Sequence, residues 1–159
     1  MKDRRAFLGL IGMGAAGSLL LDRRSAAMSF HFTVNHTPAE WRRMLGDRRY
    51  AVLREAATEP PFSSSLLNEH RKGLFVCAGC ALPLFSSSTK FESGTGWPSF
   101  WKPLAHAVVN RSDNSLMMER TEVLCARCGG HLGHVFDDGP KPTGLRYCMN
   151  GLALNFTPV

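Results

Sequence analysis

The sequence lacks the motifs that mark several large functional classes. Residues 28–159 contain no G-x-G-x-x-G, and the whole sequence has no P-loop, which argues against nucleotide chemistry. The one G-x-G-x-x-G match, GMGAAG at 12–17, lies in the N-terminal stretch and follows no predicted strand. There is no internal repeat and no low-complexity segment. The uncharged stretch Ala6 to Leu21 has sixteen residues with four glycines, too short and too weakly apolar for a comfortable membrane span. With 44% apolar and 20% charged residues, the composition is that of an ordinary globular domain.

A strong positive charge is also lacking once the N-terminus is set apart. The formal net charge is +6, but residues 1–27 contribute five basic and two acidic side chains, which leaves +3 for residues 28–159. No basic run is interleaved with aromatic residues. The composition therefore does not favour a nucleic-acid partner.

The N-terminus is typical of an export signal. Arg4 and Arg5 precede a Phe-Leu pair in "DRRAFLGL", the uncharged stretch follows, and "DRRSAA" ends in a small-x-small pattern at Ala27. This order resembles a twin-arginine signal, although Asp3 and Gly9 stand at its flanking positions. We expect the mature protein to be exported by the twin-arginine machinery, to the periplasm. A basic tail and an uncleaved membrane anchor are the alternatives.

The sequence thus predicts three segments. They are a signal peptide at 1–27, a spacer at 28–36 and one domain at 37–159. The small residues at 25–27 resemble a cleavage site, with cleavage after Ala27 as the expectation.

The start of the domain carries helix signals. In "TPAEWRRMLG", Thr37 can serve as the N-cap, proline occupies the first helical position, Glu40 the third, and Gly46 ends the helix. Asp47 can cap a second helix that runs to about Ala57.

Beyond Gly73 the sequence pattern changes to short apolar runs such as "GLFVC", "LPLF" and "ALNF". Gly, Pro, Ser, Asp and Asn clusters separate these runs. This alternation predicts a mainly β domain of antiparallel strands, preceded by the two short helices.

Four of the five cysteines form two C-x-x-C pairs. Cys77 and Cys80 lie in "VCAGCALPLF", and Cys125 and Cys128 lie in "LCARCGGHLGH". A tight turn at each pair can direct both thiols at one ion, so that two such turns complete a tetrahedron with bonds of about 2.3 Å. Gly79 and Gly129 are expected to ease the positive φ angles of these turns. The spacing therefore predicts a structural zinc site.

Three alternatives to this zinc site remain. Iron is the second choice of metal. The cysteines of an exported protein can instead form disulfides or redox-active pairs, although the loops closed would be tiny and would stabilise little. His131 or His134 can also act as a ligand, but four thiols make them unnecessary.

The fifth cysteine, Cys148, has an unusual setting in "GLRYCMNG". Arg146 and Asn150 lie two residues away on either side, so on a strand all three side chains project on one face. A guanidinium near a thiol favours the thiolate. With His131 and His134 nearby in "GGHLGH", these residue types are those of nucleophilic catalysis.

Three long motifs resemble the methionine-R-sulfoxide reductase B family. They are "SGTGWPSF" at 93–100, "CGGHLGHVFDDGP" at 128–140 and "GLRYCMN" at 144–150. The resemblance covers residues 37–159. It implies a peptide-methionine (R)-S-oxide reductase that repairs oxidised proteins. The implied fold has two antiparallel β-sheets with short N-terminal helices, and the zinc lies opposite the active site.

The resemblance also implies a role for each residue of the candidate site. Cys148 matches the nucleophile that attacks the sulfoxide sulfur, becomes a sulfenic acid and releases methionine. Trp97 matches the aromatic residue that receives the ε-methyl group of the substrate. The residues that match those binding and polarising the sulfoxide through water are His131, His134, Arg146 and Asn150.

One position departs from the family pattern. Many members have a resolving cysteine where this chain has Thr95, and no spare thiol remains beside the zinc cysteines and Cys148. We therefore expect an outside thiol, such as a thioredoxin-like protein, to reduce the sulfenic acid. Reduction by a zinc cysteine, at the expense of the metal, is the alternative. Gly151 also stands where the family often has serine.

A zinc-ribbon-like binding module is the rival interpretation, with Cys148 as a buried structural residue. Such a module has no need for the Arg-Tyr-Cys-x-Asn cluster together with G-W-P-S-F. These two motifs favour the enzyme.

Overall fold

The computed structural model describes residues 30–115 and 119–159. The predicted export signal at 1–27 lies outside the described residues, as do the first two positions of the predicted spacer. No described helix combines the length and the apolar character needed to cross a bilayer.

The helical part is one element, α1, at Pro38–Glu55. Its N-terminus has the predicted capping box: the Thr37 hydroxyl accepts from the backbone N–H of Glu40, and the Glu40 carboxylate accepts from that of Thr37 at 2.8 Å. Gly46 is non-helical, with φ 68° and ψ 165°, so it separates two helical arms within this element. The predicted break is therefore present, and the second arm ends at Glu55, two residues before the predicted end.

Nine strands are described, and all pair antiparallel. They are β1 Gly73–Cys77, β2 Pro83–Ser86, β3 Lys90–Phe91, β4 Ser99–Phe100, β5 Val108–Asp113, β6 Arg120–Cys125, β7 His131–Phe136, β8 Arg146–Met149 and β9 Leu154–Pro158. One sheet has the order β2-β1-β9, and the other has the order β3-β4-β8-β7-β6-β5. The prediction of a mainly β fold with two antiparallel sheets is confirmed.

Aromatic side chains from both sheets form the centre of the core. Phe75 on β1 and Phe85 on β2 meet Phe100 on β4, with ring centroids 4.8 and 4.3 Å apart. All three are fully buried. Such a buried aromatic is worth about 3–5 kcal/mol against alanine, so this cluster holds the two sheets together.

Strand β8 lies between β4 and β7, and its register positions the fifth cysteine. Cys148 is opposite Ser99 on β4 and opposite His134 on β7. Directly opposed residues of antiparallel strands share a face, so these side chains are neighbours. Gly133 allows β7 to approach closely, because a Cβ there would clash with the backbone oxygen of Cys148.

Residues of the predicted spacer contact the second C-x-x-C turn. The backbone N–H groups of Thr33 and Val34 both donate to the Arg127 carbonyl, at 3.0 and 3.1 Å. The ring of Phe32 lies against Gly129 so closely that a Cβ on that glycine would overlap it. The chain therefore packs onto this turn before α1 begins.

Candidate active site and metal centre

Cys148 lies at a small cavity of about 170 Å³. The residues that line it are Thr58, Trp97, Arg120, Gly133, His134, Phe136, Cys148 and Asn150. Four larger cavities, of about 320 to 550 Å³, contain no cysteine among their described residues. The thiol is half-buried, so it is reachable and yet surrounded by aromatic and polar side chains.

Three of the predicted site residues meet Cys148 in this cavity: Trp97, His134 and Asn150. Trp97 is fixed because its indole Nε1–H donates to the Glu59 carbonyl at 3.0 Å. Asn150 is buried, and its Nδ2 donates to the Leu132 carbonyl at 3.2 Å. These hydrogen bonds therefore fix both side chains in the lining of the cavity.

Glu59 connects these residues, and sequence reasoning missed it. It is 4% exposed, and its backbone N–H donates to Asn150 Oδ1 at 3.0 Å. Its carboxylate accepts from the backbone N–H groups of Gly151 and Leu152. In "TEPPF" the two prolines that follow Glu59 signal a turn, but no local pattern reveals contacts 91 residues away.

His134 is held by a carboxylate from β5. Its Nε2 lies 2.8 Å from Asp113 Oδ2, which also accepts from Arg120 Nη2 at 2.7 Å. Hydrogen bonds from Ser115, then from His134, hold the pKa of Asp113 well below its usual range. Burial lowers the pKa of His134, and the hydrogen bond to Asp113 opposes this effect.

His131 has its own carboxylate and lies beside His134, with ring centroids 5.5 Å apart. Its Nδ1 is 2.7 Å from Glu122 Oε1, and Arg111 Nε donates to the other oxygen of Glu122 at 2.8 Å. Burial raises the pKa of Glu122, but these two partners outweigh burial and the net pKa is lowered.

An ionised Glu122 favours the tautomer of His131 with hydrogen on Nδ1. Nε2 is then the ring nitrogen that can bind or release a proton. That Nε2 is buried and has no partner among the described protein atoms. His131 does not line the Cys148 cavity. It lines a neighbouring one of about 380 Å³ that His134 shares.

Arg146 is paired with a carboxylate and does not line the Cys148 cavity. Its Nε and Nη2 donate to the two oxygens of Asp138, both at 2.8 Å, and its guanidinium lies 4.4 Å from the centre of the Phe136 ring. The hydrogen bonds to Asp138 raise the pKa of Arg146, and the charge of Cys148 adds to this effect. The cation expected beside the thiol is present, but its charge is shared with Asp138.

The remaining four cysteines form a cluster. Cys77 ends β1 in one sheet and Cys125 ends β6 in the other, and each is followed by its partner three residues on. The Sγ separations are 3.7 Å for Cys77–Cys128 and 3.5 Å for Cys80–Cys125, and all four sulfurs lie within 4.8 Å of one another. A tetrahedral ion with sulfur bonds of about 2.3 Å requires sulfurs about 3.8 Å apart, so the cluster fits one metal ion.

One detail of these turns differs from the prediction. Gly129 has the expected positive φ, at 66°, but Gly79 does not. In the first turn the residue with positive φ is Ala81, at 58°. Ala81 and Gly129 each follow the second cysteine of their pair and donate to the carbonyl of the first, at 2.8 and 2.9 Å. The positive φ is therefore needed at the residue after each pair. Glycine adopts it without steric cost at position 129, whereas Ala81 adopts it despite its Cβ.

Comparison with known proteins places the chain in a family. The SelR domain matches residues 45–158. A peptide methionine sulfoxide reductase MsrB of Leptospira interrogans is 51% identical over 127 residues, 79% of this chain and 97% of that protein. The one of Bradyrhizobium diazoefficiens is 58% identical over 75% of this chain and 86% of its own length. That of Thiobacillus denitrificans is 54% identical over 77% and 93%.

These matches define an enzyme of the SelR-domain class. The chain belongs to the MsrB family of peptide methionine sulfoxide reductases. The resemblance drawn from the motifs is confirmed at the level of the family, and the prediction of an enzyme is confirmed with it.

Replacing Glu59 with glutamine tests whether its buried carboxylate stabilises the fold through the backbone N–H groups of Gly151 and Leu152. Two backbone N–H groups face its carboxylate, and an amide would direct its own hydrogens at one of them. We expect the free energy of unfolding to fall by about 1–3 kcal/mol in urea denaturation. Glu55→Gln is the matched control, because Glu55 makes an exposed pair with Arg42, and such surface pairs contribute little to stability. Equal effects of the two substitutions would contradict this role.

Proposed function

We propose that this enzyme reduces the R-epimer of methionine sulfoxide in proteins, with Cys148 as the nucleophile. The observation that carries the proposal is the meeting of Cys148, Trp97, His134 and Asn150 in one cavity. In an MsrB-family chain, these groups are what a sulfoxide requires: a nucleophile, a surface for its methyl group and donors for its oxygen.

The reaction takes two electrons from Cys148. Its thiolate sulfur attacks the sulfoxide sulfur while the sulfoxide oxygen takes up a proton. The attack forms a bond between the two sulfurs. The hydroxyl then passes to Cys148 as both this S–S bond and the S–O bond of the substrate break. The products are methionine and a Cys148 sulfenic acid.

His134 supplies the proton in this scheme. It lines the cavity, and Asp113 holds its Nε2, so Nδ1 is the atom free for the substrate. Burial lowers the pKa of His134 more than the hydrogen bond to Asp113 raises it, so the protonated ring gives up its proton more readily than a free imidazolium. His131 and Arg146 act on the sulfoxide through water. His131 does so through Nε2, which has no partner within the described part of the protein, and Arg146 through its charge.

Trp97 receives the ε-methyl group of the substrate. The indole is half-buried, and its hydrogen bond to Glu59 fixes the ring. A methyl group on an aromatic surface gains apolar contact, while the sulfoxide oxygen points to the polar side. Asn150, on the polar side, can donate to that oxygen.

The sulfenic acid is recycled by an external thiol. Thr95 stands where many members of the family have a resolving cysteine, and its Oγ1 lies 3.7 Å from Cys148 Sγ. The other four cysteines belong to the metal cluster. A thioredoxin-like protein or a small thiol must therefore reach the cavity beside Trp97.

The cluster of Cys77, Cys80, Cys125 and Cys128 holds one zinc ion in this proposal. Four thiolates are the preferred ligands of structural zinc, and such sites contribute roughly 10–16 kcal/mol to folding. Zinc there takes no part in the reaction. It ties the end of β1 to the end of β6 and so joins the two sheets.

Substrate turnover tests the assignment directly. We expect purified residues 28–159 to reduce the R-epimer of a methionine sulfoxide peptide and to leave the S-epimer almost untouched. Cys148→Ser should lose activity because its hydroxyl cannot replace the thiolate, while its melting temperature stays close to wild type. Equal turnover of both epimers, or an active serine variant, would refute the proposal.

The pH profile of the reductase activity tests whether His134 is the acid that protonates the sulfoxide oxygen. Asp113→Asn removes the carboxylate that stabilises protonated His134, so the pKa of His134 falls further and the acid is lost at lower pH. We expect the alkaline limb of activity to move to lower pH, with a greater loss at pH 8 than at pH 6. Asp47→Asn, at an exposed helix position, is the control. An alkaline limb that does not move would exclude His134 as the acid.

Elemental analysis tests the metal. We expect one zinc per chain, and Cys80→Ser should lower the zinc content and the melting temperature sharply. Cys148→Ser should keep the full zinc content. Iron in place of zinc would correct the identity of the metal. Absence of metal with all four thiols in disulfides would contradict the site.

Export of the mature protein is proposed from the sequence of residues 1–27. The twin arginine at Arg4 and Arg5 is the element that the export machinery would recognise. Fractionation of cells should find the mature protein in the periplasm. Replacing both arginines with lysine should retain the precursor inside the cell, whereas an unchanged distribution would show that the N-terminus has another role.

A further inference from the structure

A chain of hydroxyl groups ends on the sulfur of Cys148. Thr95 Oγ1 lies 3.7 Å from Cys148 Sγ and 2.9 Å from Ser93 Oγ. Ser93 Oγ lies 2.7 Å from Ser99 Oγ, and Ser99 donates to the Trp97 carbonyl at 3.2 Å. Ser99 is 1% exposed and directly opposite Cys148 on β4, so the chain is built into the sheet.

Counting hydrogens fixes the direction of this chain, because each hydroxyl has only one hydrogen to donate. When Ser99 donates to the Trp97 carbonyl, Ser93 must donate to Ser99, and Thr95 must donate to Ser93. Thr95 then has no hydrogen for the sulfur and can only accept one from it. This direction fits a Cys148 thiol.

A Cys148 thiolate requires the opposite direction. Thr95 now donates to the sulfur, Ser93 donates to Thr95, and Ser99 donates to Ser93. The Trp97 carbonyl loses one donor, and the thiolate gains a hydrogen bond to a charged group, which is roughly twice as strong as a neutral one. No proton travels along the chain, since a backbone carbonyl cannot take it. The thiol proton leaves into the cavity.

We propose that Thr95 is a catalytic residue whose hydroxyl donates to the thiolate of Cys148, and that Ser93 and Ser99 are positioning residues that set its direction. The inference rests on the proposed function, in which Cys148 is the nucleophile. His134, on β7, then lies on one side of the Cys148 sulfur, and the Thr95 hydroxyl lies on the other. At the position of the missing resolving thiol, Thr95 thus stabilises the reactive form of Cys148.

The test is the pH dependence of Cys148 alkylation by iodoacetamide in the zinc-containing protein, with the modified residue identified by mass spectrometry. Thr95→Val keeps the shape and removes the hydroxyl. We expect the midpoint of the plot of alkylation rate against pH to move to higher pH. The alkylation rate at pH 6 should fall about tenfold, the factor expected from one lost hydrogen bond to a charged group. Thr95→Ser should remain within about twofold of wild type. Thr157→Val, at an exposed strand position, is the matched control and should change nothing.

Ser99→Ala gives a prediction of opposite sign. Without Ser99, the Ser93 hydrogen is free to face Thr95, so Thr95 can donate to the sulfur without the loss at the Trp97 carbonyl. We expect the midpoint to move to lower pH. A move to higher pH would overturn the positioning role of Ser99.

Two results would overturn the role of Thr95. One is an unchanged midpoint in Thr95→Val, and the other is an equal shift in Thr95→Val and Thr95→Ser, which would make shape the cause. Either result leaves the proposed function intact if Cys148→Ser is inactive. An active Cys148→Ser would instead remove the basis of both proposals.

Discussion

The pairing of β8 with β4 and β7 is the constraint on which the rest of the site depends. It places Cys148 between Ser99 and His134 on one face of the sheet. A slip of one residue would turn this face over, because side chains alternate along a strand. Tyr147 and Met149, on either side of Cys148, are buried on the other face. Their burial opposes such a slip and keeps the thiol at the cavity.

Charged groups around the thiol come in pairs, and this pairing explains how they tolerate burial. The pairs are His134 with Asp113, His131 with Glu122 and Arg146 with Asp138. Each carboxylate offsets the cost of removing its partner from water and also fixes the orientation of the ring or guanidinium. A site prepared in this way can stabilise charge as it develops on a sulfoxide without reorganising.

Local patterns were predictable from the sequence, whereas contacts between distant segments were not. The capping box joins Thr37 and Glu40, three residues apart, and the cysteine pairs have equally short spacing, so the residue types alone indicated both. Asp113 and His134 are 21 residues apart, and Glu59 and Asn150 are 91 apart. Strand register and the path of the loop before β1 bring these residues together, and neither leaves a signal in residue spacing. The motifs therefore predicted residues that line the cavity with Cys148, but not the residues that hold them.

The central claim is that Cys148 takes the oxygen of the sulfoxide itself. A single turnover with the R-epimer of a methionine sulfoxide peptide, without reductant and with dimedone present, tests it most directly. The account predicts one dimedone adduct per chain at Cys148, one equivalent of methionine formed, and zinc still bound. Methionine formed with no adduct at Cys148, or with a disulfide between cluster cysteines and release of the metal, would contradict it.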